Sequence, residues 1–263
     1  MESFITSNDI PVHISDNNKE GEVLLLLHGY LETLYIWNEF IELLPGYRII
    51  TMDLPGHGLT GSNSDITSLD FIANVIEGVL DKCGVEKCSI IGHSLGGFVA
   101  QTCVRVIPDR VNKIICLNSS PFPDPLARNK ARKREINLIE DSKLLQLASI
   151  SIPNMYFKSN LRKCDDKIQE TIEICETHNP DGIISILKGL LDRPDNIEVL
   201  RDSNIPLLFI YGDSERLLPK GGIVLLKKEL PLSTVNIIAN IGHNSFIEAP
   251  EETARLVLEF IES

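Results

Sequence analysis

Gly92-His93-Ser94-Leu95-Gly96-Gly97 constrains this 263-residue chain more than any other stretch. It follows Lys87-Cys88-Ser89-Ile90-Ile91, a short apolar run that reads as a buried strand. It precedes Phe98 to Arg105, which continue as a helix. A Gly-x-Ser-x-Gly pattern between strand and helix is a corner so tight that only glycine fits at its flanks. Such a corner lifts the Ser94 hydroxyl out of the sheet edge. It also aims the Leu95 amide at the point where a negatively charged oxygen would form. A merely structural glycine-rich turn has the same spelling. What separates the two readings is whether later strand ends supply the partners a serine needs.

They do, in order. Phe4-Ile5-Thr6 and Val12-His13-Ile14-Ser15 read as an edge hairpin, with His13 expected as an exposed edge residue. Val23 to Leu27 is the continuous apolar run of a central parallel strand. It ends in His28-Gly29-Tyr30, where the Tyr30 amide is a candidate second oxyanion donor and His28 a packing residue beneath the loop. Tyr35 to Leu44 has helical apolar spacing, and Tyr47 to Met52 is the next strand. Strand, helix, strand at this length implies a right-handed crossover and a parallel sheet. The loop Asp53-Leu54-Pro55-Gly56-His57-Gly58 reads as structural, with Asp53 capping turn amides rather than pairing with His57. A helix is predicted from an N-cap at Thr67 or Ser68 to about Cys83, exiting at Gly84. Val111 to Leu117 is a further strand.

From residue 121 to 204 no strand is expected, only short helices with polar joints. The predicted organisation is a core of residues 1–120 and 205–263 with a helical cap at 121–204. Inserted at that point of the strand order, the cap sits over the carboxyl ends of the strands, where open α/β sheets carry their sites. Ile205 to Tyr211 resumes the sheet and leads into Gly212-Asp213-Ser214-Glu215-Arg216-Leu217-Leu218-Pro219. Thr234 to Ile238 is the last strand, followed by Ile241-Gly242-His243, and Pro250 to Ile261 is a closing helix. The fold class is therefore α/β, a mostly parallel central sheet with helices on both faces.

Ser94 thus brings a nucleophile, Glu215 or Asp213 a carboxylate, His243 an imidazole, and Tyr30 and Leu95 amides. A serine hydroxyl is too weakly acidic to attack alone and needs a base that titrates near neutrality, as histidine does. The imidazole in turn needs a carboxylate to fix its tautomer.

Composition removes other classes. The formal net charge is -12, which offers no basic surplus for nucleic acid. No basic and apolar leader opens the chain and no apolar run approaches bilayer length, so a cytoplasmic protein without a membrane partner is expected. The six cysteines form no Cys-x-x-Cys pair or zinc-like cluster. They read as reduced thiols, and no metal or cofactor is expected. Nothing in the sequence bears on oligomeric state, and the expected partner is a small-molecule substrate.

Over nearly its whole length the chain resembles the α/β-hydrolase family. The resemblance rests on His28-Gly29-Tyr30, Asp53 to Gly58, Gly92 to Gly97, Tyr211 to Glu215, Gly242-His243 and the tail Phe246-Ile247-Glu248-Ala249-Pro250-Glu251. It implies Ser94 as nucleophile, His243 as base and an acid after Tyr211. The family spacing puts that acid at Glu215, where many members carry aspartate; Asp213, nearer the strand, is the competing choice. The implied activity is hydrolysis of a small carboxylic ester. Carbon–carbon bond hydrolysis and a menaquinone-pathway type of lyase step are the alternatives within the family. A cofactor-free haloperoxidase-like activity is a further one, and a non-catalytic binding module the alternative outside enzymes. The family alternatives favour an anionic substrate, which directs attention to the cap's basic run Arg128, Lys130, Arg132, Lys133 and Arg134. That run is expected as a solvated face, unless one arginine turns inward toward a substrate carboxylate. Apolar residues expected to reach a pocket are Tyr30, Trp37, Phe98, Phe122, Met155, Tyr156, Phe157 and Leu217.

Overall fold

A computed structural model describes residues 1–62, 65–218 and 221–263. The Leu-rich strand, buried at every position, organises it. Strands β1 (Glu2–Ser7) and β2 (Ile10–Asp16) form an antiparallel hairpin turned by Asn8 and Asp9, both at positive φ. Strands β3 (Val23–Leu27), β4 (Arg48–Met52), β5 (Cys88–His93), β6 (Val111–Leu117), β7 (Leu207–Gly212) and β8 (Thr234–Ile238) complete an eight-stranded sheet. Its order is β1-β2-β4-β3-β5-β6-β7-β8; β2 runs antiparallel to both neighbours and every other pair is parallel.

In β3, Leu25 and Leu27 enter one apolar cluster while Leu24 and Leu26 enter the other. A strand covered on both faces must be apolar at every position, hence the unbroken run. On the first face lie helices α1 (Leu69–Lys82) and α2 (Leu95–Val106). Ser68 caps α1 by accepting from the Phe71 amide at 3.1 Å, and Gly84 leaves it at φ 65°. Between β6 and β7 the chain forms five helices and no strand. These are α3 (Leu126–Glu140), α4 (Leu144–Ser151), α5 (Asp165–Cys175), α6 (Pro180–Leu191) and α7 (Ile197–Asp202). Ile136, Ile183 and Leu187 of this insertion join the first cluster. After β7 come α8 (Gly222–Glu229), α9 (Ser245–Glu248) and α10 (Pro250–Ile261). Val257 and Ile261 of α10 pack in the second cluster with Trp37, Phe40 and Phe246.

Two expectations need correction. Residues 35–44 are not an α-helix but two 3-10 turns, Leu34–Trp37 and Phe40–Leu43. Ile36, Trp37, Phe40 and Leu44 are all buried as the apolar spacing requires, but the chain buries them by breaking between Trp37 and Phe40 into two tighter segments that wind about three residues to the turn. The Leu34 amide is meanwhile taken by the Asp53 carboxylate at 2.8 Å, which fixes how the segment enters. His13 is not exposed: it is 2% accessible, with Nδ1 2.8 Å from Asp53 Oδ2 and its ring stacked on Phe4. Alternation assigned its face correctly only for an uncovered sheet, and here Phe4 covers it. Pro219, which ends the acid-bearing loop, lies outside the described residues. Among the described residues no helix is long and apolar enough to cross a membrane.

Candidate active site

Ser94 sits at the β5–α2 corner with φ 50° and ψ -109°, a conformation L-residues rarely adopt. Packing holds it there. Its amide donates to Leu117 O at 3.0 Å, and its carbonyl accepts from Gly97 N at 3.1 Å, Phe98 N at 3.2 Å and Ser119 Oγ at 2.8 Å. A Cβ on Gly92 would strike the Gly96 carbonyl, and one on Gly96 would strike the Leu27 carbonyl. The flanking glycines are thus dictated by contact with neighbouring backbone.

Two loops bring His243 and Glu215 together: Nδ1 and Oε2 are 2.7 Å apart, and each side chain is 4% exposed. Burial acts to raise the Glu215 carboxyl. The His243 ring, the Leu217 amide (2.8 Å) and the Asn118 amide group (2.9 Å) outweigh it and hold it below its ordinary value. Asp213 takes no part; it is exposed and accepts from Ser214 Oγ at 3.2 Å. With Nδ1 committed to the carboxylate, His243 presents Nε2, which is buried and has no protein partner. Nε2 makes no hydrogen bond to Ser94 Oγ, but both residues line one cavity.

Asn118, at the end of β6, is a site residue that spacing did not single out. Its Nδ2 donates to Glu215 Oε2 and, at 3.1 Å, to Gly242 O, while Oδ1 accepts from Ser245 N at 3.2 Å. One side chain therefore orients the carboxylate and the loop carrying the imidazole. Its positive φ of 51°, which asparagine tolerates, is the local signal.

The Tyr30 and Leu95 amides donate to no other group among the described residues. Leu95 N opens the twelve-residue helix α2, whose N-terminus favours negative charge. Tyr30 N is oriented through its own peptide plane. His28 Nδ1 lies 2.7 Å from Gly29 O, so the trans-related N–H of Tyr30 points the opposite way. His28 Nε2 accepts from Leu54 N at 2.9 Å, which fixes the proton on Nδ1 and confirms His28 as a residue beneath the loop. Behind the serine, Glu32 Oε2 accepts from Gly29 N at 2.5 Å and meets His93 Nδ1 at 3.0 Å. His93 Nε2 then reaches His243 O at 3.0 Å. Both ring nitrogens face acceptors, the arrangement of an imidazolium. Burial acts to lower the His93 pKa, but Glu32 and the His243 carbonyl outweigh it and raise it.

The insertion is bonded directly to the His243 loop. His243 N donates to Met155 O at 2.6 Å. Buried Glu248 accepts from Gly242 N at 2.9 Å through Oε1, and from Phe157 N and Asn160 Nδ2, each at 2.8 Å, through Oε2. A Cβ on Gly242 would collide with Met155 O, so that junction admits glycine alone. Asp53 bonds His13 and the amides of Leu34 and Leu59 and leaves His57 to the Leu31 amide, the structural role expected of that loop.

Ser94 and His243 open onto a cavity of about 310 Å³ that Phe98 and Phe122 also line, and a second lobe of about 200 Å³ reaches Tyr156. Tyr30, Met155 and Leu217 border both. Trp37 does not: it is fully buried on the opposite sheet face against Phe246. Phe157 lines neither lobe and contributes its amide to Glu248 instead. The basic run splits. Arg128 and Arg132 line the larger lobe, whereas Lys130 and Lys133 are directed elsewhere. Arg132 is not solvated but 3% accessible, bonded to Asp124 at 2.7 Å. Among the described residues no group of three or more His, Cys, Asp or Glu side chains could hold a metal ion.

This corner, sheet and order of groups define a class of protein, and comparison with known proteins agrees. The family profile described as alpha/beta hydrolase fold matches residues 22–250, and the chain belongs to that family. It is an enzyme of hydrolase type. Among curated relatives, it is 26% identical to a 2-hydroxy-6-oxononadienedioate/2-hydroxy-6-oxononatrienedioate hydrolase of Burkholderia vietnamiensis, over 96% of this chain and 91% of the relative. It is 25% identical to the pimeloyl-[acyl-carrier protein] methyl ester esterase of Aeromonas hydrophila, over 92% of this chain and 96% of the relative. Among solved structures, a thermophilic esterase from Thermogutta terrifontis shares the fold with a TM-score of 0.91 at 23% identity, covering 100% of this chain and 98% of that one.

Proposed function

We propose that the chain hydrolyses a small carboxylic ester, with Ser94 as nucleophile, His243 as base and Glu215 as its orienting acid. The observation that carries this reading is the 2.7 Å Glu215–His243 contact, placed on the same cavity as a serine held at positive φ. His243 Nε2 takes the Ser94 proton as Oγ attacks the ester carbonyl. The oxygen that gains charge is held by the Tyr30 and Leu95 amides; one such donor typically contributes about 2.7–4 kcal/mol. Nε2 then returns the proton to the departing alkoxide, leaving an acyl group on Ser94. A water, deprotonated by the same nitrogen, releases the acid. Residues 121–204 act as the lid that closes the pocket over these groups, with Phe98, Phe122 and Tyr156 in its apolar lining. The six cysteines are free thiols, five of them buried, as suits a reducing cytoplasm.

The test is hydrolysis of a p-nitrophenyl ester series by the wild type and by Ser94→Ala. Turnover that disappears in Ser94→Ala is the expected result; turnover that survives it removes Ser94 from the mechanism. Arginines on the cavity wall favour a second reading, carbon–carbon bond hydrolysis or a lyase step on an anionic substrate. The same nucleophile and base would then serve a different substrate, and absence of Ser94-dependent ester turnover would move the assignment there.

A further inference from the structure

Arg128, Arg132 and Arg216 line the two lobes together with the carboxylates of Asp124, Glu135 and Glu215, the last of these paired with His243; a fourth guanidinium, that of Arg193, stands behind them. Asp124 is shared: its Oδ2 meets Arg132 at 2.7 Å and its Oδ1 meets Arg193 at 3.0 Å. The two arginine side chains are 4% and 1% exposed and share this one carboxylate in direct contact on the wall of the larger lobe, with Glu135 and Asp195 acting on them from further off. Arg193 also donates to Phe122 O and lies 4.0 Å over the Phe98 ring, yet its Nε and Nη1 have no partner. Arg216 borders both lobes and makes no ion pair among the described residues. Arg128 also borders both; it spends one N–H on Glu135 at 2.9 Å, and its other N–H groups bond no other side chain or carbonyl among the described residues. The whole protein carries a net charge of -12, so this cationic concentration runs against the background.

Tyr30 gives this concentration a direction. Its hydroxyl is buried and has no hydrogen-bond partner among the described residues, although the residue borders both lobes. Burial acts on it most strongly and raises its pKa; of the charged groups Glu135 comes first, with an Oε2 that is also buried and unpartnered among the described residues, and Arg132 and Arg128 act the other way. A buried donor without an acceptor costs about 1–3 kcal/mol, a cost an incoming acceptor removes. We propose that Tyr30 Oη and the Arg128 guanidinium form an anion subsite beside Ser94, so that the ester hydrolysed there carries a carboxylate of its own. The proposal rests on the ester reading above. The phenol donates one hydrogen bond to the carboxylate and the planar fork of Arg128 donates the others. The buried Arg132–Asp124–Arg193 group adds positive potential without contact.

Two matched ester pairs test it. Mono(4-nitrophenyl) glutarate against 4-nitrophenyl pentanoate places the charge on the acyl side; 4-carboxyphenyl acetate against phenyl acetate places it on the leaving side. In one of the pairs, kcat/KM for the anionic ester is expected to exceed that for the neutral one at least tenfold. That ratio should fall at least tenfold in Arg128→Gln and in Tyr30→Phe, with part retained in Arg128→Lys, which keeps charge without the fork. Equal or inverted preference in both pairs overturns the proposal, as does a ratio that the two variants leave in place. Calorimetric binding of monomethyl glutarate and of 4-carboxyphenyl acetate to Ser94→Ala, each against its neutral counterpart, separates this from the ester reading. If no ester is turned over, that reading fails. The subsite then stands on an anionic preference lost in Ser94→Ala/Arg128→Gln, and falls if anionic and neutral compounds bind alike.

Discussion

At the level of single residues, the pairing of His243 with Glu215 rather than Asp213 makes an asymmetric expectation. Glu215→Gln removes the charge that fixes the imidazole and should lower kcat on the order of 10⁴-fold, while Asp213→Asn should stay within about twofold. Steady-state kinetics on a p-nitrophenyl ester decide it, and the opposite ranking would reassign the acid. Asn118→Ala removes a hydrogen bond to a buried carboxylate, worth about 1.5–3 kcal/mol, and frees the Gly242 carbonyl. Its kcat should drop at least tenfold with little change in KM. Both carboxylate and imidazole were legible in the sequence because each follows a strand end and a glycine. Asn118 was not, because its role depends on three bonds to residues 97, 124 and 127 positions away. No local pattern encodes such distances. His13 and Arg132 were misjudged for a related reason: burial is conferred by Phe4 and Asp124, not by their own alternation or helix face.

At the level of elements, the Glu32–His93 pair ties the β3 loop to the β5 corner and, through His243 O, to the loop after β8. His93 has its pKa raised above the ordinary 6.5, so its share of stability is complete below that pH and lost as pH rises through the higher folded value. Glu32 has its pKa lowered below the ordinary 4.5, so its share is complete above that and lost as pH falls through the lower folded value. Thermal melting against pH should therefore show an alkaline limb that His93→Gln lacks, with the variant destabilised by about 3–5 kcal/mol at neutral pH. An alkaline limb unchanged in the variant would remove His93 as its source. The central strands β3, β5 and β7 were legible to within about two residues, since a doubly covered strand has an unmistakable apolar run. The 3-10 turns at 34–43 were not, because apolar spacing reports which side is buried and not how tightly the backbone winds.

At the level of the whole molecule, residues of the insertion share one apolar cluster with the sheet, α1 and α2. Trp37, the chain's single tryptophan, lies in the other cluster across the sheet. The two halves should melt together: in urea, tryptophan fluorescence and far-ultraviolet circular dichroism are expected to give coincident transitions. A dichroism change that precedes the fluorescence change would show the insertion unfolding on its own. That no strand lies between β6 and β7 was legible in the interruption of the strand pattern, but the bonds from His243 N to Met155 O and from Phe157 N to Glu248 were not, since they join residues far apart in the chain.

That attachment has a consequence for redesign. Suppose the helical segment is exchanged with that of another family member, the graft being cut at the ends of the transplanted piece. Here the ends are not the whole seam. Residues 155–160 are stitched mid-segment to Asn240, His243 and Glu248. A chimera joined only at its termini would set a foreign stretch of backbone against its own His243 loop. A successful exchange must carry over the recipient's own 155–160 stretch, or import the donor's histidine loop together with its helices.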